Sequence, residues 1–439
     1  YANENPDLIC IYVDDKDATY LSDWVTDPAS NFVETDAECL EFQGYTYIPD
    51  DNFEQALIDL GIDSEGILDD IVLTSDIAFV EILEISSKNI EDLTGIENFD
   101  ALLQLYCAGN QLTEFDISEN IHLTYLDCSY NLLTSLDVTN NTALTGIYCS
   151  SNQIQILDVS NNTALTYLSC YTNQLTSLDL SNNTSLGYFS CHDNLLTSLD
   201  ISNTTILTDL ICFDNQLTSL DVSSSTGLTD LVCYFNQIAS LDVSANSVLE
   251  ILDCGDNQLT SLDVSTNIDL IELFCSSNQI TSLDLSSNPG LSIINCQNNQ
   301  LTSLDIRNGN NAGVSDFNAA DNPDLICIYV DDKDATFLST WLIDDVSTFV
   351  NNEDECSAIS DRDFIQGEDI VIYPNPAIDQ FRIKTSKSVV SVQISDLNGK
   401  MIKEYSYRTD IPVNDLMSGM YVLKIFTEDA CYIRLVVVE

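Results

Sequence analysis

The sequence predicts a solenoid of short parallel strands with little helix, closed by capping segments and followed by a small antiparallel β-sandwich. Three observations carry this. Cysteine recurs at Cys107, Cys128, Cys149, Cys170, Cys191, Cys212, Cys233, Cys254, Cys275 and Cys296, always at one and the same interval. Asparagine stands at a fixed place after each cysteine, from Asn110 through Asn173 to Asn299, and aspartate keeps the same period from Asp116 through Asp179 to Asp305. Basic residues are absent between Lys88 and Arg307, while nine of the 13 lie from Arg362 onward, so two surfaces of different character share one chain.

A fixed period of about 20–29 residues marks a repeat in which each copy is one coil, and the cysteine interval falls within it. Within a copy, "LTYLSCYTNQ" and "LTSLDLSNNTS" both read Leu-Thr-x-Leu-x-apolar-x-x-Asn, so one coil is a doublet of two nearly equal halves. Alternation through Leu168, Ser169, Cys170 and Tyr171 turns every second side chain inward, as in a strand. Leucine and cysteine then line the core. The asparagine stands where the chain leaves the strand, where its amide can satisfy buried backbone groups of adjoining coils.

These residues resemble the leucine-rich repeat family, and more narrowly its bacterial 21-residue class with a nested doublet. The resemblance covers roughly residues 80–325. One departure is cysteine in place of leucine at the last apolar strand position, where it buries as a small hydrophobe.

The elements follow in order. Residues 1–40 read as the tail or cap of a preceding repeat block, because "PDLICIYVDDKDATYLSDW" from Pro6 returns as "PDLICIYVDDKDATFLSTW" from Pro323. Residues 41–80 read as an N-terminal helical cap. In "IPDDNFEQALIDLGI", Asp50 or Asp51 caps a helix, Phe53, Ala56, Leu57 and Leu60 form its buried face, and Gly61 stops it. Residues 81–322 form the solenoid, beginning with the degenerate coil "EILEISSKNIEDLTGI", and residues 323–360 the C-terminal cap containing Trp341.

Residues 361–439 change to strand-and-turn punctuation and read as the β-sandwich. Tyr373-Pro374-Asn375-Pro376, Asp396-Leu397-Asn398-Gly399-Lys400, and Leu416 with Gly419-Met420-Tyr421 are similar to a type IX secretion sorting domain. That resemblance implies export through the type IX machinery, with the chain secreted or attached at the outer-membrane surface. An ordinary appended sandwich is the alternative.

Cysteine usage divides in two. In-register thiols about 4.8 Å apart with parallel side chains suit a buried free-thiol ladder better than bridges. Cys10 and Cys39 have the same spacing as Cys327 and Cys356, which stand in the second copy of the same segment. That recurrence predicts one disulfide per cap, in an oxidising compartment, against a bland reading of two more buried thiols.

The functional classes narrow by charge and motif. A formal charge of −58 disfavours nucleic acid, and no apolar run is long enough to span a membrane. The two histidines, His122 and His192, belong to no nucleophile–base set, and no phosphate loop or zinc spacing is present, so the chain is not expected to be an enzyme. The aspartates Asp137, Asp158, Asp179, Asp200 and Asp221 would stack about 5 Å apart if the coils are in register. Unit charges that close repel by about 3 kcal/mol per pair at an effective dielectric of 20. Two offsets stay open. Hydroxyls just upstream (Thr176 and Ser177 beside Asp179) or backbone amides can bond them, or weakly bound calcium can bridge them. No other cofactor is expected.

Outward strand positions collect Tyr125, Tyr148, Tyr167, Tyr171, Tyr188, Phe213, Tyr234, Phe235 and Phe274, with carboxylates increasing toward the later coils. Exposed rows of aromatics favour recognition of an extracellular protein or glycan, while rings also pack well beside strand neighbours. The expectation is an exported, non-catalytic binding or adhesion module at a bacterial surface. The alternative is a structural spacer, or an accessory array of a larger secreted protein whose active region lies upstream.

Overall fold

The computed structural model describes residues 8–24, 26, 30–357, 370–385, 387–396, 400–427 and 431–438. It divides into two compact units, Tyr1–Phe349 and Val350–Glu439.

The first unit is built on a 12-stranded parallel sheet running from Ile82–Glu84 to Asp316–Asn318, one strand per coil. Pairing is in register: Tyr167 lies beside Tyr188, Leu168 beside Phe189 and Ser169 beside Ser190. The same positions therefore stack from coil to coil, and the ten periodic cysteines are all buried free thiols. Burial pushes each thiol up, Cys149 and Cys212 to about 12, which keeps the ladder protonated and unreactive.

The asparagine after the strand is the main polar fastener. Asn173 donates to the carbonyls of Cys149 (3.0 Å), Cys170 (3.1 Å) and Tyr171 (3.3 Å). Its own oxygen accepts from the Ile154 amide at 3.0 Å. This bonding fixes a left-handed residue just before it in each coil, at φ 52° for Thr172 and Asp193 and 48° for Asp214 and Phe235. A non-glycine residue there costs roughly 1–2 kcal/mol, which the asparagine bonds offset.

The return half of the coil is less regular. Its asparagine also faces inward, and Asn183 donates to the carbonyls of Val159 and Asn162 (3.0 Å each). Its buried oxygen, like those of Asn120, Asn141 and Asn162, has no hydrogen-bond donor among the described residues. Return strands form only in places, as Leu136–Asp137 beside Leu157–Asp158, and in the sheet of Ser282–Asp284, Ser303–Asp305, Cys327–Tyr329 and Thr348–Val350.

Asp50 is the cap of the helix Asp51–Asp59, accepting from the amides of Asn52 and Phe53. Phe53, Ala56 and Leu57 are buried, but Leu60, the C-cap residue, is 46% exposed. The expected division at 40/41 falls inside the helix Asp36–Gln43, so a domain edge there is corrected: that helix leads straight into the strand Tyr45–Tyr47. The expected division at 360/361 lies outside the described residues, as do Leu397, Asn398 and Gly399 of the second sorting motif. Cys10 and Cys39 form a disulfide with Cα atoms 5.6 Å apart, and Cys327 and Cys356 are disulfide-bonded as well.

The second unit holds two antiparallel sheets. Ile370–Tyr373, Gln380–Thr385 and Asp410–Pro412 make one, and Met401–Ser406, Val389–Ser395, Gly419–Thr427 and Cys431–Val438 the other. Phe381, Ile383, Val392, Ile394, Leu423 and Ile425 fill a core of their own.

Candidate functional site

Parallel strands bring equivalent positions to about 4.8 Å, close to the preferred spacing of stacked rings. The outward residues of the long sheet use this in two rows. In the first, Tyr106, Tyr125, Tyr148, Tyr167 and Tyr188 follow one another with centroids 4.8, 5.0, 4.5 and 4.1 Å apart. The last pair is parallel to within 1°. The row shifts between the position just before the cysteine and the outward position before that, which is possible because Gly146 leaves space beside Tyr148. A β-carbon at Gly146 would sit 3.3 Å from the Tyr125 ring and 3.5 Å from the Tyr148 ring.

The second row lies just after the cysteines. Tyr171, His192, Phe213 and Tyr234 stack at 4.3, 4.1 and 4.3 Å, and Phe235 meets Tyr234 edge-on at 5.3 Å. His192 Nδ1 also lies 2.6 Å from the Asp193 carboxylate. Tyr130 reaches across two coils so that its hydroxyl lies 3.3 Å from that of Tyr171.

Eight of the nine expected aromatic positions thus fall into these rows, while Phe274 stands apart, paired through its strand with Asp253 and Asn295. The expectation of exposed rings is corrected for all but Phe235, which is 53% exposed. The others are half-buried; in the two rows this is because neighbouring rings cover one another's faces. What the surface presents is ring edges and phenol hydroxyls. Burial and neighbouring phenols push Tyr125 and Tyr167 up, and the hydrogen bond with Tyr130 followed by burial pushes Tyr171 to about 12. Sequence reading missed Tyr106 and Tyr130 as members. Tyr106 was signalled by standing immediately before Cys107, as Tyr148 does before Cys149.

Beyond Tyr188 the first row continues as carboxylates. Asp209 is its strand partner and Asp230 the next, each accepting from the preceding threonine hydroxyl, at 2.6 and 2.8 Å. Further on, burial pushes Asp253 to about 6, even though the Gly255 amide donates to it. Asp214 is also raised, by burial first and then by Asp193.

The aspartates of the return half behave oppositely. Asp137, Asp158, Asp179, Asp200 and Asp221 are exposed, and hydrogen bonds from the residue two places later hold each below its usual range. Asp179 accepts from the Ser181 amide at 2.9 Å, and Asp137 from both the amide (3.0 Å) and hydroxyl (2.6 Å) of Thr139. The donors expected from preceding residues are therefore corrected to following ones, since the turn folds forward over the carboxylate. Local donors outweigh the repulsion between neighbours, which water screens. Among the described residues, the carboxylate trio with oxygens within 4.8 Å of one another is not on this ladder: it is Asp51, Glu54 and Asp70 in the N-terminal cap. There, the Asp69 and Asp70 amides donate to Glu54 at 3.0 and 3.2 Å.

The fold of the chain is similar to that of the functional domain of InlJ from Listeria monocytogenes, which includes a cysteine ladder. The two are 24% identical, over 89% of this chain and 97% of that one, with a TM-score of 0.52. The solenoid has the leucine-rich repeat fold. The leucine-rich repeat ectodomain of the plant membrane receptor kinase GASSHO1/SCHENGEN3 from Arabidopsis thaliana, in complex with Casparian strip integrity factor 2, is also similar. It shows 19% identity over 58% of this chain and 39% of that one, with a TM-score of 0.50. The internalin inlF from Listeria monocytogenes shows 24% identity over 68% and 92%, with a TM-score of 0.49. No curated protein matches the chain.

Residues 371–439 match the secretion system C-terminal sorting domain. That domain marks the leucine-rich repeat chain for export, to the medium or the cell surface. No helix among the described residues is long and apolar enough to cross a membrane.

Proposed function

We propose that the chain is an exported, non-catalytic binding module whose strand face takes an extracellular protein. The observation that supports this most is the pair of stacked aromatic rows continuing into carboxylates on one uninterrupted face. Sugars bind aromatic residues through open ring faces, and here most faces are already taken by neighbouring rings. Ring edges, hydroxyls and carboxylates suit the polar and apolar patchwork of a protein surface better. Of the histidines, His192 is committed to the stack and to Asp193, and His122 is exposed on a turn, so neither is set up as a catalytic base.

The test measures binding of the full chain to immobilised extracellular proteins and to a glycan array, beside a variant carrying Tyr171→Ala and Asp230→Lys. A saturable protein interaction lost in the variant, with the melting temperature nearly kept, supports the reading. Binding to glycans alone, binding indifferent to these changes, or no binding at all would return the solenoid to a spacer or an accessory array.

A further inference from the structure

One ring of the aromatic rows keeps a face open. Phe235 is 53% exposed, and its ring contact among the described residues is with Tyr234, edge-on at 5.3 Å. At least one face of the phenyl ring therefore has no aromatic cover. Its equivalents in the coils before and after are not rings but acids: Asp193 and Asp214 on one side, Asp256 on the other. Backbone bonds show that this column is continuous. The Asp214 amide donates to the carbonyl of Tyr234 at 3.1 Å, and the Phe235 amide to that of Gly255 at 3.2 Å. With coils about 4.8 Å apart, the ring stands one coil from a carboxylate-bearing residue on each side.

Little inside the molecule answers these carboxylates. The chain has no lysine or arginine between Lys88 and Arg307. The imidazole of His192 is held by Asp193 at 2.6 Å and by the ring stack. Asp214 is raised, by burial first and then by Asp193 alongside it. The side chain of Asp256 makes no hydrogen bond or ion pair with a described residue. On the return edge, by contrast, each ladder aspartate is served by the residue two places on. An exposed ring flanked by poorly answered carboxylates is a surface that a cation complements in charge and covers in area.

Reach decides which cation. Asp214 and Asp256 are two coils apart, about 10 Å at the backbone. An ammonium is compact and spans far less than this with its hydrogen bonds. A guanidinium lies flat on a ring, and its N–H groups on opposite edges reach roughly 8 Å from one acceptor oxygen to the other. Rotation of the two aspartate side chains closes the remainder.

We propose that Phe235, with Asp214 and Asp256 on either side, is a binding site for an arginine side chain of the partner, the guanidinium stacked on the phenyl ring and donating to both carboxylates. The site rests on the reading of the strand face as a protein-binding surface and gives the partner its chemistry there.

The test is a ligand-observed NMR titration of the full chain with the blocked tripeptide Gly-Arg-Gly, beside counterparts carrying lysine or citrulline. The arginine peptide should bind saturably in the millimolar range, the lysine peptide several-fold more weakly, and the uncharged citrulline peptide not at all. Phe235→Leu should weaken the arginine peptide several-fold, and Phe235→Trp should tighten it, since indole is the better face for a cation. Asp214→Asn with Asp256→Asn should abolish saturable binding. The matched pair Asp179→Asn with Asp200→Asn removes the same charge from the return edge and should leave binding unchanged. Circular dichroism and the melting temperature of each variant establish that the coils are intact. Equal affinity for lysine and arginine, or equal losses from the two aspartate pairs, would mean loose attraction to an acidic surface and would end the proposal. So would arginine binding that ignores the ring at position 235, or no saturable binding. A chain that takes the arginine peptide but no extracellular protein keeps this site and loses the proposed function; one that binds protein but not the peptide does the reverse.

Discussion

The two halves of each coil carry one short pattern and put it to different use. In the strand half, Leu165 to Asn173, the chain joins an unbroken sheet, the asparagine is bonded on both sides of its amide, and outward residues are half-buried. In the return half, Leu175 to Asn183, sheet pairing is sporadic, the asparagine is bonded on its nitrogen side alone, and the aspartate is exposed. Carboxylates make the contrast sharpest: Asp253 is raised by burial while Asp179 is lowered by its forward donors. Repetition decides which groups become neighbours. Burial and the nearest donors decide how those neighbours behave.

The largest effect should come from the asparagines. Asn173→Ala leaves the buried Ile154 amide unpaired and takes one of two donors from each of the Cys149, Cys170 and Tyr171 carbonyls, and should cost about 4 kcal/mol, at 1–3 kcal/mol for the unpaired amide and less for each carbonyl. Asn183→Ala removes two donated bonds and an unmatched oxygen together, and should cost about half as much. Urea unfolding of the two variants makes the comparison, and equal losses would erase the distinction between the halves.

Asp253→Asn comes next. The folded-state pKa of about 6 lies above the unfolded value, so this group's contribution is full at pH below about 4 and is lost as pH rises through 6. At pH 7.5 the asparagine variant should be more stable by up to about 3 kcal/mol, and at pH 3.5 nearly unchanged. Asp179→Asn should run the other way, because a lowered pKa gives stability above the unfolded value that disappears as pH falls below it. Thermal melts across pH 3–8 would show the two trends crossing, and parallel trends would refute the assignment.

Calcium gives the smallest expected effect. With each ladder carboxylate already served by the residue two places on, millimolar calcium at constant ionic strength should leave the melting temperature where it is. A rise of several degrees would show that the return edge holds the ion after all.

Much of this was legible in the residues. The doublet placed both asparagines, and alternation around Cys170 placed sulfur inside and tyrosine outside. The left-handed turn residue was not legible, because Tyr130, Thr172, Asp214 and Phe235 are ordinary side chains where glycine would have announced a positive φ. Leu60 looked like a core residue from its spacing and is half-exposed, since spacing cannot say where the partner surface ends.

What the sequence by itself determined is the period, and with it the coil, the buried thiol column and the change of surface at the sorting domain, because a strict repeat leaves one way to keep every leucine inside. What only the tertiary structure decided is the character of each stacked row: that the tyrosines cover one another's faces, and that Asp253 is raised while Asp179 is lowered. Those properties depend on distances of a few ångströms between residues a full coil or more apart, and no single repeat contains them.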